Sequence, residues 1–122
     1  MEQQILDLTF LYNVSDNDPV YLYDVINLFL EVVPPGIEKL EQLVNKMDDF
    51  DAIHKQAHFL KSSAAIIKVK DVFDDLVKIV SLAREHKGKE EIVIRMNNIS
   101  ANFKEALPLI LTEKEKYRQS IS

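Results

Sequence analysis

The sequence has no cysteine, only two glycines and only four prolines among its 122 residues. The absence of cysteine excludes a disulfide scaffold, thiolate metal ligands, thiol redox chemistry and a cysteine nucleophile. Because glycine and proline interrupt regular structure, their scarcity predicts a few long elements, and the alternating pattern of strands is not evident. These absences favour an all-α protein.

Other features that would point to particular partners are missing as well. Twenty acidic against fifteen basic side chains give a formal net charge of −5, which makes nucleic-acid binding a poor hypothesis. The start, Met1-Glu2-Gln3-Gln4, lacks the basic segment of a signal peptide. The longest apolar run is far shorter than the roughly 20 residues of a membrane span. We therefore expect a soluble, cytoplasmic, freestanding protein that binds neither nucleic acid nor membrane.

A few start and stop signals divide the chain into helices. Asp18 suits an N-cap, Pro19 suits the first helical position, and Asp71 is expected to cap a later helix. Breaks are predicted at Pro34-Pro35-Gly36, Asp48-Asp49, Lys68-Val69-Lys70 and Lys87-Gly88-Lys89. The apolar stripe of the last helix continues through Pro108, which predicts a kinked helix with a frayed polar tail.

Short connections between helices of similar length predict antiparallel neighbours. The expected fold is all-α, an antiparallel up-down four-helix bundle with an additional N-terminal helix, in a single domain over 1–122. The bundle occupies 35–117, with helices at 35–47, 50–67, 70–86 and 89–117; a capping helix, 19–33, packs across it, and 1–14 is a lead-in. The lead-in is either a short helix or an extended segment. The capping helix is apolar on nearly every side, so either it is buried on two sides or part of it contacts a partner.

One helical stretch, Ala57-His58-Phe59-Leu60-Lys61-Ser62-Ser63-Ala64-Ala65, combines polar chemistry with unusually small residues. At 3.6 residues per turn, His58, Lys61 and Ser62 share one face beside the apolar seam. Neutral imidazole is a competent nitrogen nucleophile near pH 7, and an exposed ring can be approached in line by a phosphoryl group. Lys61, one turn on, could balance the charge of a phosphohistidine.

This stretch resembles the signature of histidine-containing phosphotransfer (HPt) domains, which reads roughly A-H-x-L-K-G-[SA]-[SA]-A. The resemblance extends over nearly the whole chain from about residue 15, since HPt domains are four-helix bundles with an additional N-terminal helix. It implies that His58 accepts a phosphoryl group from a receiver-domain phosphoaspartate and relays it to another receiver aspartate. It also implies that Lys61 is the electrostatic partner of His58, and that Ser62 replaces the usual glycine.

The same resemblance sets expectations about partners and cofactors. Response-regulator receiver domains and a hybrid histidine kinase are the expected partners, and the chain is expected to be a monomer. No cofactor is expected on this chain, because the Mg²⁺ would belong to the receiver. No nucleotide motif is present, so the protein is expected to be a phosphotransfer intermediate with no ATP-dependent kinase site.

Further site residues follow from helix pairing and from apolar exposure. Antiparallel pairing about the 68–69 turn would put His58 level with about Val80 and His54 level with about Arg84, so Arg84 could reach the phosphoryl group. Candidate docking residues are Phe59, Leu11, Val14, Leu22 and Ile26, and the alternative for each is a place in the apolar core.

Two rival functions stand beside phosphotransfer. An inactive bundle that docks a receiver without accepting phosphate is favoured by Ser62 at the usual glycine position. A metal-binding bundle would use Asp51 and His54, but it needs a second carboxylate–histidine pair that neither His58 nor His86 completes. No metal site is therefore expected.

Overall fold

The computed structural model describes residues 4–121, which form five helices and two very short strands. The elements in chain order are β1 (Leu6–Asp7), α1 (Thr9–Ser15), α2 (Pro19–Lys46), α3 (Phe50–Ala64), β2 (Lys68–Val69), α4 (Val72–Arg84) and α5 (Lys89–Ile121). The all-α prediction is confirmed, because helices hold most of the described residues.

The four longest helices pack in a ring, with α2 against α3, α3 against α4, α4 against α5, and α5 against α2. Their apolar stripes meet in one core, whose largest fully buried side chains include Leu22, Leu40, Ile53, Leu76, Ile79, Ile92 and Ile99. The apolar seam predicted for this helix, Phe50, Ile53, Ala57, Leu60, Ala64 and Ile67, is buried except at Phe50, which is half-buried, and Ile67 lies just beyond the end of α3. Helix periodicity therefore identifies the face of α3 that is turned away from solvent.

The predicted break at Pro34-Pro35-Gly36 is wrong, because α2 runs without interruption from Pro19 to Lys46. The capping helix 19–33 and the bundle helix 35–47 are therefore one helix. Each proline removes one bond to the carbonyl four residues earlier, which here belongs to Leu30 or Glu31. Glu31 and Pro35 are exposed, and Leu30 and Pro34 are only half-buried. Water can replace the lost bonds on that side, while the buried side of the helix keeps its packing.

The length and composition of α2 also bear on the membrane prediction. By these two criteria alone, α2 could cross a membrane. Its buried stripe, however, packs in the protein core, as core helices of soluble proteins do: Leu22, Ile26, Phe29, Val33, Ile37, Leu40 and Val44. The helix is therefore weak evidence for a membrane span.

The lead-in contains both of the alternatives that its sequence left open. β1 is extended and pairs antiparallel with β2, with Leu6 opposite Val69. α1 follows at once, and its first free amide, on Thr9, donates to Asp7 Oδ1 at 2.9 Å. Hydrogen bonding from the Thr9 side chain, and then from this amide, holds the pKa of Asp7 below its usual value. The strand pair was not predicted, and the first three residues of the lead-in lie outside the described part.

The strand pair also explains two wrong helix boundaries. α3 ends at Ala64 and α4 begins at Val72, whereas 50–67 and 70–86 were predicted. Between them the chain leaves the helix, and the Lys70 amide donates to the Ile5 carbonyl at 2.9 Å. Asp71 adopts a left-handed conformation, with φ at 61°, and its side chain caps nothing. The capping role predicted for Asp71 is therefore wrong.

The other helix ends agree better with their signals. Asp18 accepts from the Val20 amide and precedes Pro19 at the start of α2, as predicted. Asp49 accepts from the Ala52 amide at the start of α3. α4 ends at Arg84, two residues before the predicted end, and α5 continues through Pro108 to Ile121, so the frayed tail predicted after 117 is helical.

Candidate functional site

The candidate site lies on α3, whose two faces differ sharply. Ala57, Leu60 and Ala64 are buried, whereas His58 and Ser62 are exposed and Lys61 is half-buried. The alternation follows from the helical period, which turns His58 outward when its neighbour Ala57 packs inward. The structure therefore presents His58 and Ser62 to an approaching molecule and lays Lys61 along the adjacent edge.

A close contact with α2 fixes the position of α3. A Cβ atom added to Gly36 would lie 2.6 Å from Leu60 Cδ2, so only glycine allows this approach of the two helices. Gln56 Nε2 also donates to the Gly36 carbonyl at 3.0 Å. Both contacts lie within one turn of His58, which therefore projects from a well-supported part of the helix.

On its other edge α3 contacts α4 through a second histidine. His54 Nδ1 lies 3.2 Å from the Val80 carbonyl oxygen, and the rings of His54 and His58 stack with centroids 6.1 Å apart at 28°. His54 rather than His58 contacts Val80, whereas the Asp51–His86 contact at the other end of the helix pair lies close to the predicted pairing. Arg84 is exposed one turn beyond Val80, and its role near the phosphoryl group stays a prediction.

Three of the predicted docking residues are wrong. Leu11, Leu22 and Ile26 are fully buried in the core, so they cannot meet a partner. Helix periodicity alone did not separate the inner from the outer side of this strongly apolar region. Phe59, at 54% exposure, and Val14, at 51%, are accessible and stay predictions.

The structure shows apolar surface that the sequence did not assign. A groove between α2 and α3, which we call the α2–α3 groove, is lined by Val25, Leu28, Phe29, Val32, Ser63 and Ile66. Leu28 is 61% exposed, although it belongs to a helix with a large buried face. A second pocket lies at the C-terminal end of α3 and includes Phe10, Ala65, Val69 and Phe73. Pairing the helix surfaces required the tertiary structure, because neither groove lies on a single helix.

The strongest buried ion pair lies on a different side of the bundle. Arg95 Nη1 donates to Asp75 Oδ1 at 3.0 Å across α4 and α5, and Arg95 also bonds Glu91. Asp75 is 1% exposed, and its second oxygen has no partner within residues 4–121. Burial raises the pKa of Asp75, and the Arg95 guanidinium opposes that rise. This pair joins α4 to α5, and α3 takes no part in it.

The residues considered for a metal site, Asp51, His54 and His86, do not converge on one point. His86 Nε2 lies 3.1 Å from Asp51 Oδ1, and the His86 ring stacks on Phe50. Over the described ranges, no group of three or more histidine, aspartate or glutamate side chains could hold a metal ion. His86 therefore pairs with a single carboxylate in the first turn of α3.

Comparison with known protein families decides the classification. A family model described as the Hpt domain matches residues 24–106, which is more than half of the chain. The chain belongs to the HPt domain family. The matched region contains all of α3 and α4, and therefore the whole stretch that first suggested this family. The comparisons with curated proteins and with solved structures give no match.

Membership of the HPt family gives the general role of the chain. HPt domains are helical bundles that carry phosphoryl groups in phosphorelays and interact with receiver domains and histidine kinases. They are carriers rather than kinases, which agrees with the absence of a nucleotide motif from the sequence. The general role is thus in histidine phosphotransfer within two-component signalling.

Proposed function

We propose that His58 is the phosphoryl-accepting residue of this HPt domain. The observation that carries the proposal is that His58 is an exposed histidine on α3 inside the motif, supported on one side by α2 and on the other by α4. The fold that goes with this role is the antiparallel up-down four-helix bundle, in which α2 to α5 form the bundle and α1 is the additional N-terminal helix. We place the protein in the cytoplasm, as a monomer.

The proposed reaction exchanges one bond to phosphorus for another. The lone pair of a His58 ring nitrogen forms the N–P bond, while the P–O bond of the receiver acyl phosphate breaks. The released electron pair leaves with the aspartate carboxylate. Because such transition states are loose, the protein contributes positioning and charge balance. Lys61 supplies positive charge near the transferred group, and the Mg²⁺ belongs to the receiver.

The receiver docks, in this proposal, over the α2–α3 groove and the adjoining Phe59. The groove starts one turn after Phe59, at Ser63, and its exposed members are apolar. Leu28 and Ile66 are exposed apolar side chains of this groove, and grouped exposed apolar side chains commonly mark an interaction site. The small side chains at Ser62 and Ser63 leave room for a receiver loop beside them.

The acceptor assignment is tested by transfer from a phosphorylated receiver. We expect acid-labile, alkali-stable label on the wild-type protein and none on His58→Gln. The matched control is His86→Gln, which removes another exposed histidine and should keep full labelling. Label that persists on His58→Gln would refute the assignment, whereas wild-type binding without label would favour the receiver-binding scaffold that Ser62 suggests.

The docking surface is tested with two equally exposed residues. Leu28 in the groove and Ile94 on α5 are 61% and 60% exposed, so replacing either by serine should change stability by no more than about 0.5 kcal/mol. We expect Leu28→Ser to weaken receiver binding about tenfold, which corresponds to about 1.4 kcal/mol. Ile94→Ser should leave binding unchanged. Equal binding by both variants would place the docking surface elsewhere.

A further inference from the structure

Two histidines one turn apart share the outer edge of α3 that adjoins α4. His58 is exposed, and its only hydrogen-bond, ion-pair or ring contact within residues 4–121 is the stacked ring of His54. His54 is half-buried and is held by its contact with the Val80 carbonyl. Of the two rings, only that of His54 lies outside the motif that suggested the family, since His54 precedes the stretch by three residues.

The contact with Val80 determines which His54 nitrogen can titrate. A carbonyl oxygen only accepts, so the 3.2 Å approach requires a proton on Nδ1. In neutral His54 the lone pair is therefore on Nε2, and protonation adds a hydrogen there without breaking the bond to Val80. The ring can gain a positive charge while it keeps its position.

We propose that His54 is the proton-binding partner of phosphorylated His58: Nε2 of His54 takes a proton from solvent when His58 carries a phosphoryl group, and loses it on transfer. This inference rests on the proposed function of His58. With ring centroids 6.1 Å apart, the new phosphoryl charge lies within the screening length of about 8 Å at physiological salt. Attraction at this distance should favour the protonated ring about three- to tenfold.

The other charged side chains near His54 belong to α3 and α4. On α3 they are Asp51, Lys55 and Lys61, of which Asp51 is paired with His86. α4 contributes Arg84, one turn beyond Val80. α2 meets the opposite edge of α3 through Gln56 and Gly36, so it places no charge against the His54 ring.

The prediction concerns the pH dependence of phosphoryl transfer. Below the pH at which His54 titrates, the imidazolium stabilises phosphorylated His58, and this stabilisation is lost as the pH rises. We expect the equilibrium constant for transfer to the wild type, divided by that for His54→Gln, to fall about three- to tenfold from the acidic to the alkaline end of a pH series. Glutamine keeps an N–H group for the Val80 carbonyl and cannot titrate, and the division cancels the titrations of the receiver and of His58 itself.

Two measurements make the inference falsifiable. The equilibrium is measured with phosphorylated receiver over this pH series, with His86→Gln as the control histidine, which should follow the wild type. In the wild type alone, nuclear magnetic resonance of the His54 ring should show titration at higher pH after phosphorylation. A ratio that stays flat within twofold, together with an unchanged His54 titration, overturns the inference. If no phosphoryl group reaches His58 in the wild type, the proposed function itself fails, and this inference fails with it.

Discussion

The close approach of α2 and α3 at Gly36 makes a prediction whose sign depends on one neighbouring side chain. The change is Gly36→Ala, in the interior of a 28-residue helix. Elsewhere in a helix this substitution stabilises by about 1 kcal/mol, because alanine has the higher helix propensity. Here the new methyl group would lie 2.6 Å from Leu60 Cδ2, which is closer than two carbon atoms can approach.

The magnitude follows from the two opposing effects. Leu60 is 1% exposed and packed on all sides, so it cannot move away freely. Overpacking of this kind costs about 1–3 kcal/mol. Combined with the gain in propensity, Gly36→Ala should destabilise the wild type by up to about 2 kcal/mol. In a Leu60→Ala background the clash is absent, so the same substitution should stabilise by about 1 kcal/mol.

The assay is a double-mutant cycle of urea unfolding, followed by helical circular dichroism. Leu60→Ala alone should cost about 2–5 kcal/mol, and the coupling between the two sites should be about 1–3 kcal/mol. Exposed Gln42→Ala on α2 reports a substitution on the same helix without a clash. If Gly36→Ala changes the free energy of unfolding equally in the wild type and in Leu60→Ala, so that the coupling is below about 0.5 kcal/mol, the close contact is refuted.

Three further predictions concern single residues. Because burial raises the pKa of Asp75, wild-type stability should fall relative to Asp75→Asn as the pH rises from about 4 to 7, and urea midpoints that keep a constant difference would contradict this. Ser62→Gly should lower the free energy of unfolding, measured in urea, by about 0.5 kcal/mol, because glycine has the lower helix propensity. Phosphoryl transfer should be as fast as in the wild type or faster, and slower transfer would show that the Ser62 hydroxyl contributes to the reaction. Lys61→Ala should slow transfer about tenfold at unchanged helical signal, and unaltered kinetics would remove Lys61 from the site.

The sequence predicts the parts of the fold that depend on local chemistry. The cap at Asp18, the break at Asp48-Asp49 and most of the apolar seam of α3 are correct, because each depends on residues within a turn or two. The break at Pro34 was wrong because proline weakens a helix without deciding whether tertiary packing compensates. β1 and β2 were missed because two-residue strands carry no periodic signal, and their partners lie about 60 residues apart.

The candidate site also has a part that the sequence predicts and a part that requires the tertiary structure. His58 and Lys61 could be proposed from the sequence, because the roles proposed for them depend on spacing within one helix. The contact of His54 with Val80 could not, since it depends on how α3 and α4 are offset and on which side chain reaches across between them. The prediction for Arg84 depended on that offset, whereas the prediction for His58 did not.

The continuity of α2 explains the surplus apolar surface that the sequence left open. A separate capping helix would have needed burial on two sides to cover its apolar residues. In one long helix, Leu22, Ile26 and Phe29 face the core along the same stripe that continues to Val44. Leu28 then points away from that stripe, into the groove beside Ser63. Because the prolines do not end the helix, the same rigid element that contacts Leu60 through Gly36 also carries Leu28. Changes at Leu28 should weaken receiver binding without altering the contacts of Gly36 with α3 that support His58. Docking and phosphoryl transfer can therefore be tested separately.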